Sequence, residues 1–266
     1  MAKKKPKYDE YKKWLKDIHD IEIINTTKLY YERVANKIKG VFEKSNLWKG
    51  LISNYNSYGD QFYIDSRGYH LWSNPIEPVE LKIKSFDSFL LKTYRKNILD
   101  NKDWPEPPKG EWILPNNWFS KINDIVRTSF VVKYLDGVEY VTKHFQLLCK
   151  EFKVTSTVDY EAKEEGYYAA HMYVTDNFEI PKIVLGTVFV NVSIEFQITT
   201  QLQEVIKKLL HKHYEERRKK EKLKGNIKWQ WDYKSDEFAT NYLGHILHYV
   251  EGMIMERRGR IGGKKT

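Results

Sequence analysis

The sequence predicts an α/β fold, in which a mixed sheet is flanked by helices and both ends of the chain carry helical extensions. Residues 188–198 are dominated by β-branched and aromatic side chains without a helical period, which is typical of a strand. Residues 8–43 show helical periodicity in two blocks. Ser235 opens a run typical of a helix start, and a helical stretch over 237–257 follows it.

The N-terminal half begins with two predicted helices, because poor helix formers at 25–27 separate the two periodic blocks. Residues 48–80 are aromatic and turn-rich and contain two proline breakers, which predicts irregular structure there. Residues 82–96 are expected to contain the start of a basic helix. Three prolines within 103–112 remove backbone donors and fix the backbone, so this stretch is predicted to be a loop.

The second half alternates strands and helices. Its predicted elements are a strand over 123–133 opened by Asp124, a helix over 137–152, strands over 153–162 and 168–175, and a long helix over 201–223. From these elements we expect an N-terminal helical extension over 1–79, a central domain over 80–223 and a C-terminal helical extension over 224–266.

Composition limits the classes of protein that remain. With 266 residues and 41% hydrophobic side chains, the chain can bury a full core. No apolar run approaches the ~20 residues of a membrane span, and no signal-peptide pattern is present, so a cytoplasmic protein without a membrane partner is expected. Cys149 is the single cysteine, and its neighbours predict a buried helix position; neither an intramolecular disulfide nor a Cys/His zinc pattern is available.

Two short segments place chemically useful side chains together. In the predicted strand over 188–198, Glu195 and Gln197 share a face, while apolar neighbours fill the opposite face. We therefore expect the two polar groups to point outward from a rigid strand. About thirty residues earlier, Gly166 precedes Tyr167, and His171 follows four residues later.

Four ordered motifs complete the pattern between roughly residues 80 and 215. They are a cationic run with Lys82, Lys84, Ser88 and Lys92; the acidic Asp124 at a strand; Lys163, Gly166, Tyr167 and His171; and Glu195, Gln197 and Thr200. In this order they resemble the synthetase domain of the RelA/SpoT family. These pyrophosphokinases move the β,γ-diphosphate of ATP onto a ribose 3′-hydroxyl. The resemblance implies a nucleotidyltransferase-like sheet and a stand-alone synthetase without the family's hydrolase half.

The resemblance also implies a role for each matched side chain. Displacement at phosphorus relies on positioning, Mg²⁺ and cationic clamps, and an aromatic face can stack on any base. The implied catalytic residues are Asp124, Glu195 and Gln197, of which Asp124 and Glu195 hold Mg²⁺. The implied ATP-binding residues are Lys82, Lys84, Ser88, Lys92 and Arg127, and the implied acceptor-binding residues are Lys163, Tyr167 and His171.

Three positions depart from the family pattern. Glu165 stands where the family commonly has an asparagine that reads guanine, and Thr199 stands where it has an arginine. The arginine that the family places five residues after the metal-binding aspartate is Ser129 here, whereas Arg127 comes three residues after Asp124. A carboxylate at 165 could accept from guanine, but turned inward it would repel a 5′-diphosphate. These departures favour an acceptor other than free GDP or GTP.

Three functions remain open at this stage. The first is a toxin that pyrophosphorylates the 3′-terminal adenosine of tRNA and is held in check by an antitoxin protein. The second is an alarmone synthetase that makes (p)ppGpp or (p)ppApp from guanosine or adenosine nucleotides. The third is a catalytically dead binding protein, which the intact Asp124 and Glu195 oppose.

The net charge of +9, together with Glu165 and Thr199, favours a polyanionic partner and thus the tRNA acceptor. The mixed signs over 213–224 are typical of a solvent-facing helix, and a nucleic-acid contact there is the alternative. His245 and His248 lie on one face of the last predicted helix, where apolar neighbours favour packing over metal binding. That helix is expected to cover either its own catalytic core or a neighbouring subunit of a homo-oligomer.

Overall fold

A computed structural model describes residues 4–74, 79–183, 185–208 and 228–262. Within these residues, five strands form one mixed sheet in the order β1–β2–β5–β4–β3. The strands are β1 (Lys82–Ile83), β2 (Val126–Val132), β3 (Thr155–Ala162), β4 (Tyr168–Pro181) and β5 (Thr187–Thr200). Strand β1 is antiparallel to β2 and places Lys82 opposite Arg127. The predicted α/β fold with a mixed sheet is confirmed.

Helices flank this sheet. They are α1 (Tyr11–His19), α2 (Asn25–Glu43), α3 (Asn46–Asp65), α4 (Phe86–Tyr94), α5 (Trp118–Lys121), α6 (Leu135–Glu151), α7 (201–208) and α8 (Asp236–Gly262). A π-helical turn over Arg95–Leu99 extends α4, and short 3₁₀ turns lie at Pro108–Gly110 and Trp229–Trp231. None of the helices in these described ranges combines the length and apolar character of a membrane span.

The described chain divides into two compact units. The first unit contains the described residues within 1–45, 81–127 and 174–195, and the second contains those within 46–80, 128–173 and 196–266. Strands β2, β4 and β5 therefore contribute residues to both units. In the first unit, the buried Tyr31 stacks on Phe89 at 4.4 Å between ring centroids and donates to the carbonyl oxygen of Lys84 at 2.7 Å. This hydrogen bond holds the segment between β1 and α4 against α2.

The second unit has its own aromatic core, in which Phe130 of β2 packs edge-on against Phe145 of α6 at 4.8 Å between centroids. Helix α3 packs beside α6, although the sequence pattern predicted irregular structure from residue 48 onward, and that prediction is wrong for most of the stretch. A Cβ on Gly50 would lie 3.1 Å from the Phe152 ring. The missing Cβ at Gly50 allows this close packing, so tertiary contacts override the low helix propensity of glycine.

Several boundaries also differ from expectation. The break between the first two helices covers residues 20–24, and Asn25 already begins α2. Asp124 precedes its strand by two residues instead of opening it, and β4 extends to Pro181. The predicted helix over 201–223 is described only as far as residue 208. Its remainder, including the mixed-charge stretch over 213–224, lies outside the described residues, as do the proline breakers at 75 and 78.

Candidate functional site

Helix α4 begins beside β1 and carries two of the predicted cationic-run residues. Ser85 caps the helix, because its side-chain oxygen accepts from the backbone N–H of Ser88 at 3.4 Å and its hydroxyl donates to the Ser88 hydroxyl at 2.9 Å. Ser88 and Lys92 lie one turn apart and therefore share a helix face. The backbone N–H of Lys84 donates to the carbonyl of Ile125, which places Lys84 beside the segment that holds Asp124.

Asp124 is the centre of a buried ion-pair cluster. Its side chain is 8% exposed, and its two carboxylate oxygens lie 2.8 Å from Lys84 Nζ and 2.9 Å from Lys92 Nζ. Lys84 is as deeply buried as Asp124, whereas the Lys92 side chain is 32% exposed. The structure thus brings together three residues that the motifs assigned to ATP and metal binding.

The ionisation of this cluster follows from burial and charge. Burial alone would raise the pKa of Asp124, but Lys92 and Lys84 hold it well below its usual range. Burial lowers the pKa of Lys84, an effect that Asp124 opposes and the nearby cations Lys92 and Arg127 reinforce. The carboxylate is therefore ionised at neutral pH, and the lysines beside it are crowded by like charge.

Arg127 and Lys96 are further cations close to this cluster. Lys82 lies directly opposite Arg127 on neighbouring strands, a pairing of like charges that is unfavourable unless an anion lies nearby. The sequence motifs missed Lys96, whose ammonium donates to the carbonyl of Lys121 at 3.2 Å. Burial lowers the pKa of Lys96, and Lys92 lowers it further. Its spacing of four residues after Lys92 was the available signal. This cationic cluster has the charge excess that a polyphosphate requires.

Glu195 lies on β5, the strand next to β2 in the sheet. The sequence predicted an outward carboxylate, and that prediction is wrong, since Glu195 is 4% exposed. Phe130 of β2 and Phe196 of β5 pack together at 5.6 Å between centroids. Because side chains alternate along strands, Glu195 and Arg127 both lie on the sheet face opposite these two rings. Glu195 is therefore a buried carboxylate on the sheet face that also carries Arg127.

Gln197 has a different environment from Glu195. Its side-chain oxygen accepts from Lys207 Nζ of α7 at 3.1 Å, in the second unit. This contact ties the end of β5 to the helix that follows it. Gln197 therefore stabilises the local fold, in addition to the catalytic role that the motif implies.

Asp124 has the chemistry of a Mg²⁺ ligand. It is buried and ionised, and its two carboxylate oxygens lie 2.8 Å and 2.9 Å from the ammonium groups of Lys84 and Lys92. Mg²⁺ is commonly held by one or two carboxylates together with substrate phosphates and water. Correspondingly, no group of three or more histidine, cysteine or acidic side chains with metal-binding geometry lies within the described part of the chain.

The acceptor segment, residues 163–171, lies in the second unit. Gly166 has a φ of +77°, which only glycine adopts easily, and its N–H closes a turn onto the carbonyl of Lys163 at 2.9 Å. The hydroxyl of Tyr167 lies 3.0 Å from Nε2 of His171, and Lys163 Nζ lies 5.2 Å from the Tyr167 ring centroid. Tyr167 therefore contacts both of the other predicted acceptor residues.

One further charge belongs to this segment and was missed by the motifs. The Oε2 atom of Glu161, on β3, lies 2.7 Å from Lys163 Nζ and 3.6 Å from His171 Nε2. Alternation along β3 gave no signal for it, because several side chains of that strand are polar. Glu161 balances the charge of Lys163 beside the aromatic ring.

Thr199, one of the positions that depart from the family pattern, makes a structural contact. Thr199 is 3% exposed, and its hydroxyl donates to the carbonyl of Tyr168 at 3.4 Å.

The two histidines of α8 make packing contacts. Both ring nitrogens of His245 are within hydrogen-bond distance of a partner, and the ring of His248 stacks on Tyr168 at 3.7 Å between centroids. The packing role predicted for these two histidines is confirmed. Cys149 is buried as predicted, at 1% exposure.

No protein-family model and no curated protein matches this chain. Among solved structures, the small alarmone synthetase 1 from Bacillus subtilis is similar at 17% identity and a TM-score of 0.48, covering 82% of this chain and 99% of that chain. The small alarmone synthetase 2 from the same organism is similar at 19% identity and a TM-score of 0.45, covering 82% and 99%.

A GTP pyrophosphokinase family protein from Streptococcus pneumoniae is similar at 15% identity and a TM-score of 0.49, covering 95% of this chain and 94% of that chain. All three similar structures are of proteins named as alarmone synthetases or GTP pyrophosphokinases, the class that the sequence motifs resemble. At such identities and TM-scores the similarity carries no functional weight, so the assignment of function rests on the side chains of this protein.

Proposed function

We propose that this chain is a diphosphotransferase of the RelA/SpoT synthetase type, which moves the β,γ-diphosphate of ATP to a ribose 3′-hydroxyl. The observation that carries the proposal is the buried Asp124 carboxylate held by Lys84 and Lys92. Removing one partner of a buried ion pair costs several kcal/mol, so a site of this kind is stable only with its charges balanced. The cluster has more positive charges than Asp124 can neutralise, and the negative charges of a triphosphate would neutralise the remainder.

Each side chain then has a part in the transfer. Lys84, Lys92 and Ser88 bind the triphosphate oxygens, and Lys82 with Arg127 binds the remainder of ATP. Asp124 and Glu195 hold Mg²⁺, which supplies neutralisation of charge on the transferred group when bound. Glu195 accepts the proton of the attacking 3′-hydroxyl while the new oxygen–phosphorus bond forms at the β-phosphorus. The bond from that phosphorus to the α-phosphate oxygen breaks, and AMP leaves.

The acceptor binds the acceptor segment. Tyr167 stacks on its base, and Lys163 and His171 hold its oxygens. We propose the 3′-terminal adenosine of tRNA as the acceptor, which makes the protein a translation-blocking toxin controlled by an antitoxin. The net charge of +9 supports this choice, and the buried Thr199 supplies no cation for a mononucleotide phosphate. The alternative is synthesis of (p)ppGpp or (p)ppApp from guanosine or adenosine nucleotides.

The deciding experiment follows the label of γ-labelled ATP in the presence of deacylated tRNA, GDP, GTP or ATP. Label on tRNA supports the toxin, and label on a mononucleotide supports the alarmone synthetase. Absence of transfer to every acceptor, with the protein folded and ATP bound, would overturn the proposal of a diphosphotransferase.

A second experiment tests the acceptor by salt. If the acceptor is tRNA, its affinity falls steeply with ionic strength, and charge reversal at Arg217 and Arg218 reduces the slope. Both arginines lie outside the described residues.

A growth assay tests the toxin. Expression of the wild-type chain alone should arrest translation, whereas the Glu195→Gln protein at the same level should not. Harmless expression of the active wild-type enzyme favours the alarmone synthetase.

A further inference from the structure

Helix α8 crosses the acceptor segment at a pair of glycines. A Cβ on Gly244 of α8 would lie 2.9 Å from the carbonyl carbon of Gly166 and closer still to its oxygen. A Cβ on Gly166 would likewise lie 3.0 Å from the backbone nitrogen of His245. A glycine inside a helix costs about 1 kcal/mol relative to alanine, so such a residue needs a packing reason. Here the reason is the close approach of two backbones.

His245 fastens the helix to both sides of Gly166. Its Nε2 atom lies 2.9 Å from the carbonyl oxygen of Glu164, and its Nδ1 atom lies 2.8 Å from the hydroxyl of Tyr168. A carbonyl can only accept, so a neutral ring carries its proton on Nε2 and Nδ1 accepts from Tyr168. Gln230, just before α8, adds a hydrogen bond to the Glu164 carboxylate at 2.5 Å.

The rest of α8 is fixed within the second unit. The buried Gln203 of α7 donates to the carbonyl of Gly244 at 3.4 Å. At the far end of α8, Arg258 pairs with Asp136 at 3.0 Å and covers the Tyr69 ring at 3.6 Å from its centroid. The helix is therefore a firm support and not a loosely attached extension.

We propose that α8 is a positioning element of the acceptor site, and that Gly244 fixes the backbone from which Tyr167 presents its ring. The inference rests on the proposed function, since it assigns acceptor binding to the segment that α8 supports. Tyr167 directly follows Gly166, so any displacement of Gly166 moves the ring and its hydrogen bond to His171. Gly244 itself touches no substrate.

The test compares two glycine-to-alanine changes in the same helix. Gly244→Ala introduces the clash with Gly166, whereas a Cβ on Gly252 would meet no heavy atom within 4 Å. Both changes raise helix propensity equally, so Gly252→Ala is the matched control. We expect Gly244→Ala to lower acceptor kcat/KM by about 100-fold, mainly through KM, with the Kd for ATP unchanged. Gly252→Ala keeps wild-type values for both substrates.

A milder variant covers the case in which Gly244→Ala fails to fold. Tyr168→Phe removes only the hydroxyl bonded to His245 and keeps the ring that stacks on His248. We expect it to lower acceptor kcat/KM about 5- to 10-fold, the effect of one lost hydrogen bond, with unchanged ATP binding. Wild-type acceptor parameters in both Gly244→Ala and Tyr168→Phe would overturn the inference.

Amide hydrogen exchange separates this inference from the proposed function. We expect the amides of residues 163–171 to exchange faster in Gly244→Ala than in Gly252→Ala, whether or not any acceptor reacts. If the wild-type protein transfers to no acceptor but this exchange difference appears, the proposed function fails while the support of the segment by α8 stands. Equal exchange in the two variants contradicts the inference independently of activity.

Discussion

Two buried carboxylates show how differently the two units treat charge. Asp124 in the first unit is surrounded by lysines, which hold its pKa well below the usual range despite burial. Glu251 of α8 in the second unit is 3% exposed without such cations, and burial raises its pKa to about 7, with a hydrogen bond from Thr200 opposing the shift. A carboxyl group is thus ionised at neutral pH in one unit and only partly ionised there in the other.

The difference extends to the two substrate-binding regions. The cationic cluster is built around the buried ion pair of Asp124 and Lys84, with more exposed cations beside it. The acceptor segment is built from a half-exposed ring, hydrogen bonds, a partly exposed ion pair and a close glycine contact. Donor recognition is thus expected to fail abruptly when one charge is removed, whereas acceptor recognition is expected to weaken in steps.

The largest effect is expected at the carboxylates of the first unit. Asp124→Asn or Glu195→Gln should each lower diphosphate transfer by about 10³-fold or more, the scale seen when a key charge-stabilising group is removed. Initial rates with labelled ATP measure the loss, and circular dichroism checks the fold. The matched control is Asp20→Asn. The side chain of Asp20 is 89% exposed and pairs with Lys16 on the surface. Activity at the wild-type level in either site variant removes that residue from the mechanism.

The elements around this site differ in how far the sequence could predict them. Strand β5 was predictable because its β-branched run has no helical alternative, and the four motifs located Asp124 and Glu195. Helix α3 was not predictable, because packing around Gly50 overrides its poor helix propensity. Propensity likewise gives no indication that Gly244 meets Gly166, since residues 78 positions apart in sequence are brought together only by the tertiary fold.

The next effect concerns Glu251 and pH. Below about pH 4.5, its ordinary pKa, the carboxyl is protonated in both the folded and unfolded states. Between pH 4.5 and 7 the unfolded state ionises while the folded state keeps its proton, so the free energy of unfolding falls across this window and is constant above it. His248 Nδ1 lies 3.8 Å from the carboxylate, and burial lowers the pKa of that histidine, so it supplies little charge there.

Glu251→Gln should remove this loss of stability. Relative to wild type, the variant should gain on the order of 3 kcal/mol in unfolding free energy between pH 4.5 and 7.5, as expected for a shift of about 2.5 pKa units. Urea unfolding at the two pH values measures the gain. Glu256→Gln changes an exposed carboxylate of the same helix and should show no such trend. Parallel pH profiles for wild type and Glu251→Gln would show that Glu251 is ionised in the folded protein.

A smaller effect is expected at the aromatic ring of the acceptor segment. Removal of a base-stacking ring costs roughly 1–3 kcal/mol, so Tyr167→Ala should lower acceptor kcat/KM about ten- to hundred-fold while the Kd for ATP changes little. Tyr167→Phe keeps the ring and loses only the hydroxyl bonded to His171, so it separates stacking from hydrogen bonding. Equal losses in the two variants would assign the effect to the hydroxyl instead of the ring.

The smallest effect is expected for Glu161, whose ion pair with Lys163 is partly exposed, with side-chain exposures of 22% and 51%. Pairs of this kind contribute about 0–1 kcal/mol, so Glu161→Gln should lower acceptor kcat/KM by no more than about fivefold. Steady-state kinetics at low and high salt measure the change, and salt should reduce it. A loss of 100-fold or more, independent of salt, would instead place Glu161 among the groups that handle the acceptor's proton. The acceptor segment would then depend on charge as strongly as the cationic cluster does, and the contrast between the two regions would not hold.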